Sequence, residues 1–491
     1  MSQYWIVVAI LLPVIGGIAT ALLPFKKKKH MFLFIELFMI VTSGIVWGLL
    51  AGGTTEVFHV VHFVHNLSIS FKIDGLTMVF AGLVSVLWPL ATLYAFEYME
   101  HHDHEKSFFM FYSIAYGVTL GIAFASDMLS MYFFYELLTL STVPLVMHTL
   151  KREAILATRK YLYYSLGGAA FALTGLVFLI VYGGDVEFVL GGVLSAEQVG
   201  EKAPLLLWIY LFAFMGFGVK AAIWPLSAWL PQAGVAPTPV TALLHAVAVV
   251  KAGVFAITRL TYYSFGTEFL KGTWVQYVVM GLAMFTTVYG CSRALKETHI
   301  KRRLAYSTVS NLSYIIFGVT IMTPLGLVGA LCHLVCHAVM KICSFMCAGA
   351  FMHQTGKMHI HDMDGMGKKM PIVFGCLTLS GLGLMGVPGL AGFISKWNLA
   401  QAAVESENSL AYAGIACLLV SALLTAIYMM SIVIRAFFPK ADFDAKAIEG
   451  MTDPGWKMCT PLIVCAVGNV LLGLFSQPLV QFIADIAAGK Y

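Results

Sequence analysis

Residues 216–251 read GFGVKAAIWPLSAWLPQAGVAPTPVTALLHAVAVVK. Both ends of this stretch are apolar and helix-like, and the middle is a polar, proline-rich connection. Two lysines, Lys220 and Lys251, stand in the apolar parts, accompanied by His245. Holding an ammonium in hydrocarbon costs roughly 2.5–3.5 kcal/mol on insertion scales. Two lysines kept this close together in membrane sequence therefore read as stations for an ion. The competing reading, side chains that snorkel to an interface from helix ends, leaves the pairing unexplained.

Composition places the stretch in a membrane. Of 491 residues, 59% are hydrophobic and 11% are charged, with a mean hydropathy of +0.85. Soluble domains carry about a quarter charged residues. A soluble enzyme and a nucleic-acid-binding protein are both excluded by this balance, and the net charge of +5 reflects orientation in a membrane. Apolar runs of about 20 residues predict about fourteen helices. They fall near 4–24, 31–51, 75–97, 108–125, 127–149, 161–183, 204–223, 240–262, 273–294, 304–322, 325–352, 371–396, 410–437 and 458–482. The expected fold is an all-α polytopic bundle, one transmembrane domain over 1–491. Its first segment reads as a retained helix, because no small-residue cleavage site follows it.

The basic residues fix the expected orientation. With both termini outside, the inner connections and the helix ends beside them hold most of the 30 Lys and Arg, among them Lys26 to Lys29, Lys151, Arg152, Lys301, Arg302 and Arg303. The outer side holds only Lys72, Lys202, Arg259, Lys271 and Lys490, and Lys220, Lys251, Lys341 and Lys396 fall inside the membrane. This is the asymmetry of a cell inner-membrane protein obeying the positive-inside rule.

Two spans are interrupted alike. The seventh carries Lys220 just before Trp224-Pro225, and the twelfth carries Lys396 after GLGLMGVPGLAGF (381–393), where glycine and proline weaken a helix. Paired breaks point to two inverted five-helix repeats, 108–262 and 273–437, with helices 7 and 12 discontinuous and sites at the breaks.

Other polar residues extend the pattern. Glu136 sits in the middle of the fifth span, in MYFFYELLTLS, where a carboxylate neutralises itself or pairs with a cation, Lys220 being one candidate. In the eleventh span His333, His337 and Lys341 recur every four residues and share a helix face, a plausible lane for protons. The run CHLVCH (332–337) is not a haem attachment motif, which needs two residues between the cysteines. All nine cysteines lie in or beside apolar segments and read as small hydrophobes. His59, His62 and His65, and His101, His102 and His104, read as solvated connection residues without zinc spacing. No cofactor or metal is expected on this chain, and no redox centre.

Five stretches together carry a resemblance: FFYELLTLSTVPL (133–145), KAAIWPLSAWLPQAGVAPTPVTALLHAVAVVKAGV (220–254), IKRRLAYSTVSNLSYI (300–315), HLVCHAVMKICSFMCAGAFMHQTGK (333–357) and GVPGLAGFISKW (386–397). Through them the chain resembles, over nearly its whole length, the antiporter-like subunits shared by respiratory complex I, membrane-bound hydrogenases and Mrp-type sodium/proton antiporters. The resemblance implies that Glu136 is the fifth-helix glutamate and Lys220 its seventh-helix partner. It places Lys251 and His245 at the eighth-helix positions, His333, His337 and Lys341 in the eleventh-helix row, and Lys396 at the end of the pathway in the twelfth helix. Some members have glutamate at that last position, and this chain follows the lysine-bearing ones. It implies a proton-translocating, non-redox subunit of a redox-driven oxidoreductase complex. An Mrp-type Na+/H+ antiporter subunit driven by an ion gradient is the alternative. Partners implied are other membrane subunits and peripheral iron-sulfur or hydrogenase subunits, with H+ as the carried ion and Na+ as the second candidate. The chain ends soon after its fourteenth span, which matches a middle-type or Mrp D-type subunit.

Overall fold

A computed structural model describes residues 3–53, 56–64, 67–100, 102–184, 186–440, 443 and 445–491. His65 and His101 lie outside the described residues. Helices α1 (Tyr4–Leu22) and α2 (Lys28–Gly52) open the chain, followed by a two-stranded antiparallel hairpin, β1 (Phe58–Val64) with β2 (Leu67–Phe71). The hairpin stands where the sequence reads as an irregular connection. Alternating Val, Ile and Phe favour a pleated strand there, and His59 Nδ1 lies 2.8 Å from Ser68 Oγ across it.

Four long helices follow: α3 (Gly75–Tyr98), α4 (Glu105–Phe124), α5 (Met128–Val146) and α6 (Arg152–Gly183). The short α7 (Ala196–Val199) leads to α8 (Ala203–Lys220). The region beyond is broken into α9 (Leu230–Ala233), α10 (Thr238–Ala246) and α11 (Val249–Thr258), which continues as a π-helical turn over Arg259–Phe265. The second half comprises α12 (Thr267–Leu270), α13 (Trp274–Lys296), α14 (Ile300–Ile321), α15 (Pro324–Thr355), α16 (Pro371–Met385), α17 (Ala391–Glu405), α18 (Ser409–Phe437), α19 (Trp456–Leu474) and α20 (Gln477–Ala487).

Among the described residues, 13 stretches are long and apolar enough to cross a bilayer, and the interrupted twelfth span appears as the shorter apolar helix α16 followed by α17. The chain is a multi-pass membrane protein. Thr238–Phe265, α14 and α15 are its most buried spans and form the centre, whereas α1, α2, α6 and α18 turn much of their surface outward.

Three departures from the sequence reading matter. The eighth span is not continuous: α10 ends at Ala246, and the N–H groups of Val247 and Ala248 both turn back to the Leu243 carbonyl, at 2.9 and 2.8 Å. Nothing in HAVAVV marks this break, since no glycine or proline is present. The fourteenth span stops at Leu474, because Pro478 at the start of α20 favours a new first turn. Arg259 and Lys301, counted with the outer and inner basic residues and not with the four inside the membrane, do not reach the surface. Both are buried inside the bundle, where each has found oxygen partners.

Glycine permits the packing at two breaks. A side chain on Gly253 would run into the backbone of Lys220 and Ala221, so α11 presses directly on the end of α8. A side chain on Gly392 would strike the Gly383 carbonyl, so α17 folds back closely on α16.

Candidate functional site

Lys220 is the last residue of α8. The helix closes there because the Ile223 N–H reaches back 3.0 Å to Gly218 O, with Ala222 in the left-handed region at φ 56°. An ammonium at this end is favoured by the helix dipole. Its Nζ donates to the Tyr135 carbonyl, lies 3.3 Å from the centroid of the Tyr135 ring, and stands 3.8 Å from Glu136 Oε1. That last distance is an ion contact but too long for a hydrogen bond, and Glu136 Oε1 is buried with no hydrogen-bond partner. Lys220 is sealed, while 24% of the Glu136 side chain remains exposed.

Lys251 occupies the first turn of α11, the end where a helix dipole opposes a cation. Its Nζ lies 2.8 Å from His337 Nδ1. The His337 and His333 rings stack at 5.8 Å, and His333 Nδ1 meets Ser395 Oγ at 2.9 Å. Ser395 adjoins Lys396, whose Nζ donates to the freed carbonyls of Leu384 and Met385 at 2.7 and 3.1 Å and so caps the end of α16. The Tyr314 ring touches both sides of this step, 5.1 Å from the His333 ring and 5.3 Å from Lys396 Nζ.

Two expected residues stand beside this run and not in it. Lys341 shares the His333 and His337 face but donates to Ser307 Oγ at 2.6 Å, which also accepts from the Tyr428 hydroxyl at 2.6 Å. His245 lies against the Phe345 ring at 4.7 Å, with neither ring nitrogen hydrogen-bonded to a described residue. The structure therefore joins Glu136 to Lys220, and Lys251 to His337, His333 and the neighbourhood of Lys396, and leaves His245 and Lys341 as a branch. Sequence reasoning missed Tyr135, Ser395, Tyr314, Ser307 and Tyr428. Tyr135 and Ser395 adjoin named residues in sequence, a signal that was available; the other three are supplied by packing alone.

A second ion pair lies outside this line. Asp74 caps α3, accepting from Thr77 N at 3.0 Å, and Arg259 grips its carboxylate with two bonds of 2.5 and 2.7 Å. The Phe188, Phe255 and Tyr263 rings surround the guanidinium at 4.8–5.2 Å. Burial by itself would raise the Asp74 carboxyl, but Arg259 overrides it and holds the group below its usual range. Asp127, the cap of α5, shows the opposite balance: burial pushes its carboxyl up despite bonds from Ser70, Ser126 and Ser130.

The family described as NADH:quinone oxidoreductase/Mrp antiporter, transmembrane, matches residues 125–427, and the N-terminal family of complex I chain 5 matches 62–109. NADH-quinone oxidoreductase subunit N of Desulforudis audaxviator is 30% identical, with 85% of this chain and 84% of the relative aligned. The Na+/H+ antiporter subunit A1 of Staphylococcus haemolyticus is 27% identical over 98% of this chain, which spans only 62% of that relative. The fold is similar to a chain of the archaeal membrane-bound sulfane sulfur reductase, with a TM-score of 0.86, 22% identity, and 99% of this chain and 97% of that one covered. It is likewise similar to a chain of the Mrp complex from a Dietzia species, with a TM-score of 0.85, 20% identity, and 100% of this chain and 98% of that one covered. A chain of Thermus thermophilus complex I superposes with a TM-score of 0.82 at 22% identity, covering 99% of this chain and 98% of that one.

Proposed function

The chain belongs to the NADH:quinone oxidoreductase/Mrp antiporter family, and from that premise we propose that it is the proton-translocating antiporter-like subunit of a multisubunit, redox-driven membrane complex. The observation that carries the reading is the line of cations placed at helix breaks: Lys220 at the end of α8, Lys251 at the start of α11, and Lys396 capping α16. At Lys396 the break frees the Leu384 and Met385 carbonyls to share the ammonium's charge, which a continuous helix cannot do.

In this mechanism Glu136 sets whether Lys220 holds its proton. With Glu136 ionised and close, the ammonium is paired; when the carboxylate withdraws or is protonated, the proton leaves Lys220. The change of charge is felt at Lys251, whose helix packs on the Lys220 break through Gly253. From Lys251 a proton passes to His337 and His333, each able to accept on one ring nitrogen while releasing from the other. Lys396 exchanges it with the far side. Coupling along such a line needs two charge arrangements of similar energy. The inverted repeats 108–262 and 273–437, the orientation with both termini outside the inner membrane, and partners among iron-sulfur or hydrogenase subunits belong to this same reading.

A gradient-driven Mrp-type antiporter subunit is the second reading, favoured by the Na+/H+ antiporter relative matched over 98% of this chain. The companions that purify with the intact complex distinguish the two: iron-sulfur or nickel proteins support the first, small membrane subunits alone the second. For the path itself, Lys220→Ala or Glu136→Ala in membrane vesicles is expected to abolish proton transport, and transport at the parental rate would remove the pair from the path.

A further inference from the structure

Glu36 is an acid that the bundle does not use. It lies in α2, eight residues past Lys28 and about 12 Å further along the helix axis. The 25 residues of α2 are enough to reach beyond both sides of a hydrocarbon core about 30 Å thick, so Glu36 falls inside that core. Its Oε2 is buried with no hydrogen-bond partner among the described residues, and no described cation comes within ion-pair distance of it. The hydroxyls of the same helix are satisfied within the bundle: Ser43 Oγ meets the Tyr116 hydroxyl at 2.9 Å, and Thr42 donates to the Phe38 carbonyl at 2.7 Å.

The carboxylate stands at the edge of an outward face. Leu33, Leu37, Ile40 and Trp47 line that face, each more than half exposed, and Gly44 lies between the last two with open space where a side chain would stand. Glu36 belongs to it because residues three and four apart are neighbours on a helix, and Leu33 and Ile40 flank it at those spacings. The apolar side chains suit lipid tails as well as protein. A carboxylate at that depth does not, since hydrocarbon offers neither a donor nor a cation, and ionisable groups inside a bilayer pair with one another or face a wet cavity. Bare backbone at Gly44 lets a second helix approach closely, and polar side chains hold such helices together. The span also lies outside both segments that match the family, 62–109 and 125–427, which sets Glu36 apart from what the relatives share there.

We propose that this face of α2 is the docking surface for a transmembrane helix of another membrane subunit, and that the docked helix turns a lysine or arginine toward Glu36. Charge complementarity identifies the partner: one basic side chain supplies both the counter-charge and the missing donor. Either charge left alone in the contact is strongly unfavourable, so the pair selects which helix docks and in which register. The inference rests on the proposal that the chain is one subunit of a membrane complex, and not on what that complex transports.

The test uses the complex assembled in its own membrane, with this chain affinity-tagged. With Leu37 replaced by the photoactivatable p-benzoylphenylalanine, light is expected to cross-link the chain to a transmembrane peptide of a companion subunit, and that peptide to contain Lys or Arg. Glu36→Leu and Glu36→Gln are each expected to lower recovery of that companion roughly tenfold or more, relative to the amount of this chain in the membrane. Glu36→Lys should do the same, and exchanging the companion's basic residue for glutamate in that background should restore recovery. The cross-link decides alone where a Glu36 variant accumulates poorly. Cross-links to lipid only, to a second copy of this chain, or to a segment without Lys or Arg would overturn the docking surface, as would parental recovery in Glu36→Leu. Parental recovery in Glu36→Gln beside a loss in Glu36→Leu would overturn the ion pair, because hydrogen bonding without charge would then suffice. The two levels separate cleanly. A chain that purifies without companions sinks the multisubunit reading, whereas companions that stay bound while Leu37 meets lipid alone sink only the surface.

Discussion

Arg259 holds Asp74 through two short hydrogen bonds in a cage of three aromatic rings, whereas Lys220 stands 3.8 Å from Glu136 with one carboxylate oxygen unbonded. Both pairs join elements far apart in sequence, the start of α3 with the turn after α11 and α5 with the end of α8. The first has every mark of a clamp: planar fork geometry, a second acceptor in Thr77, and a carboxyl held ionised by its partner. The second is a loose contact whose ammonium is supported mainly by a carbonyl and an aromatic face. A clamp resists a change of charge state, while a loose pair permits one at small cost. Burial alone does not distinguish the two pairs; the hydrogen bonding of the carboxylate does, and on the proposed function the loose pair is the working one.

Mutations can break this contrast, and the expected effects fall in order of size. Lys220→Ala should reduce proton transport by roughly a hundredfold or more, the scale of losing a positioned proton carrier, while leaving thermal unfolding in detergent nearly unchanged. Arg259→Ala should do the reverse. It leaves Asp74 buried and uncompensated, costs about 3–5 kcal/mol of stability, and shows as a lower Tm and poor recovery of the complex. Equal destabilisation by the two variants would erase the distinction.

A finer test removes the ring under Lys220. Tyr135→Leu deletes the aromatic face but keeps the backbone carbonyl, and a desolvated cation–π contact is worth about 2 kcal/mol. Transport should slow by roughly tenfold in Tyr135→Leu and stay near parental in Tyr135→Phe, which keeps the ring; equal rates would show that the carbonyl alone supports the ammonium.

The smallest expected effect concerns His299, the residue that precedes α14. Burial, reinforced by the charges of Lys301 and Arg302, pulls this histidine down from 6.5 to about 4. The unfolded chain therefore binds more protons than the native one between those values, so stability falls as pH is lowered through that window and is regained above it. In His299→Asn the decline in Tm between pH 6.5 and pH 4, measured by thermal scans, should be shallower than in the parent. An unchanged slope would place the acid sensitivity elsewhere.

Much of this was legible in the chain. Apolar run lengths gave the spans, because a bilayer admits little else than helices of that length. Glycine and proline around 381–393 and at Trp224-Pro225 marked two of the breaks. The third break, between Ala246 and Val249, was not legible, because its local sequence is ordinary helix former and the kink is imposed by packing in the most buried span. The burial of Arg259 and Lys301 was not legible for a related reason. Counting charges by loop assumes that residues near helix ends meet water, and at these two positions the neighbouring elements cover them instead.

The sequence by itself picked out Glu136, Lys220, His245, Lys251, His333, His337, Lys341 and Lys396 as ionisable residues in apolar spans, where a charge is costly. Only the tertiary structure decided which of them meet. Lys251 reaches His337 while Lys341 turns to Ser307, although both lysines were equally available on paper. Contact depends on the mutual rotation and depth of separate helices, and those are set by close approaches such as Gly253 on the Lys220 break, which no single stretch of sequence contains.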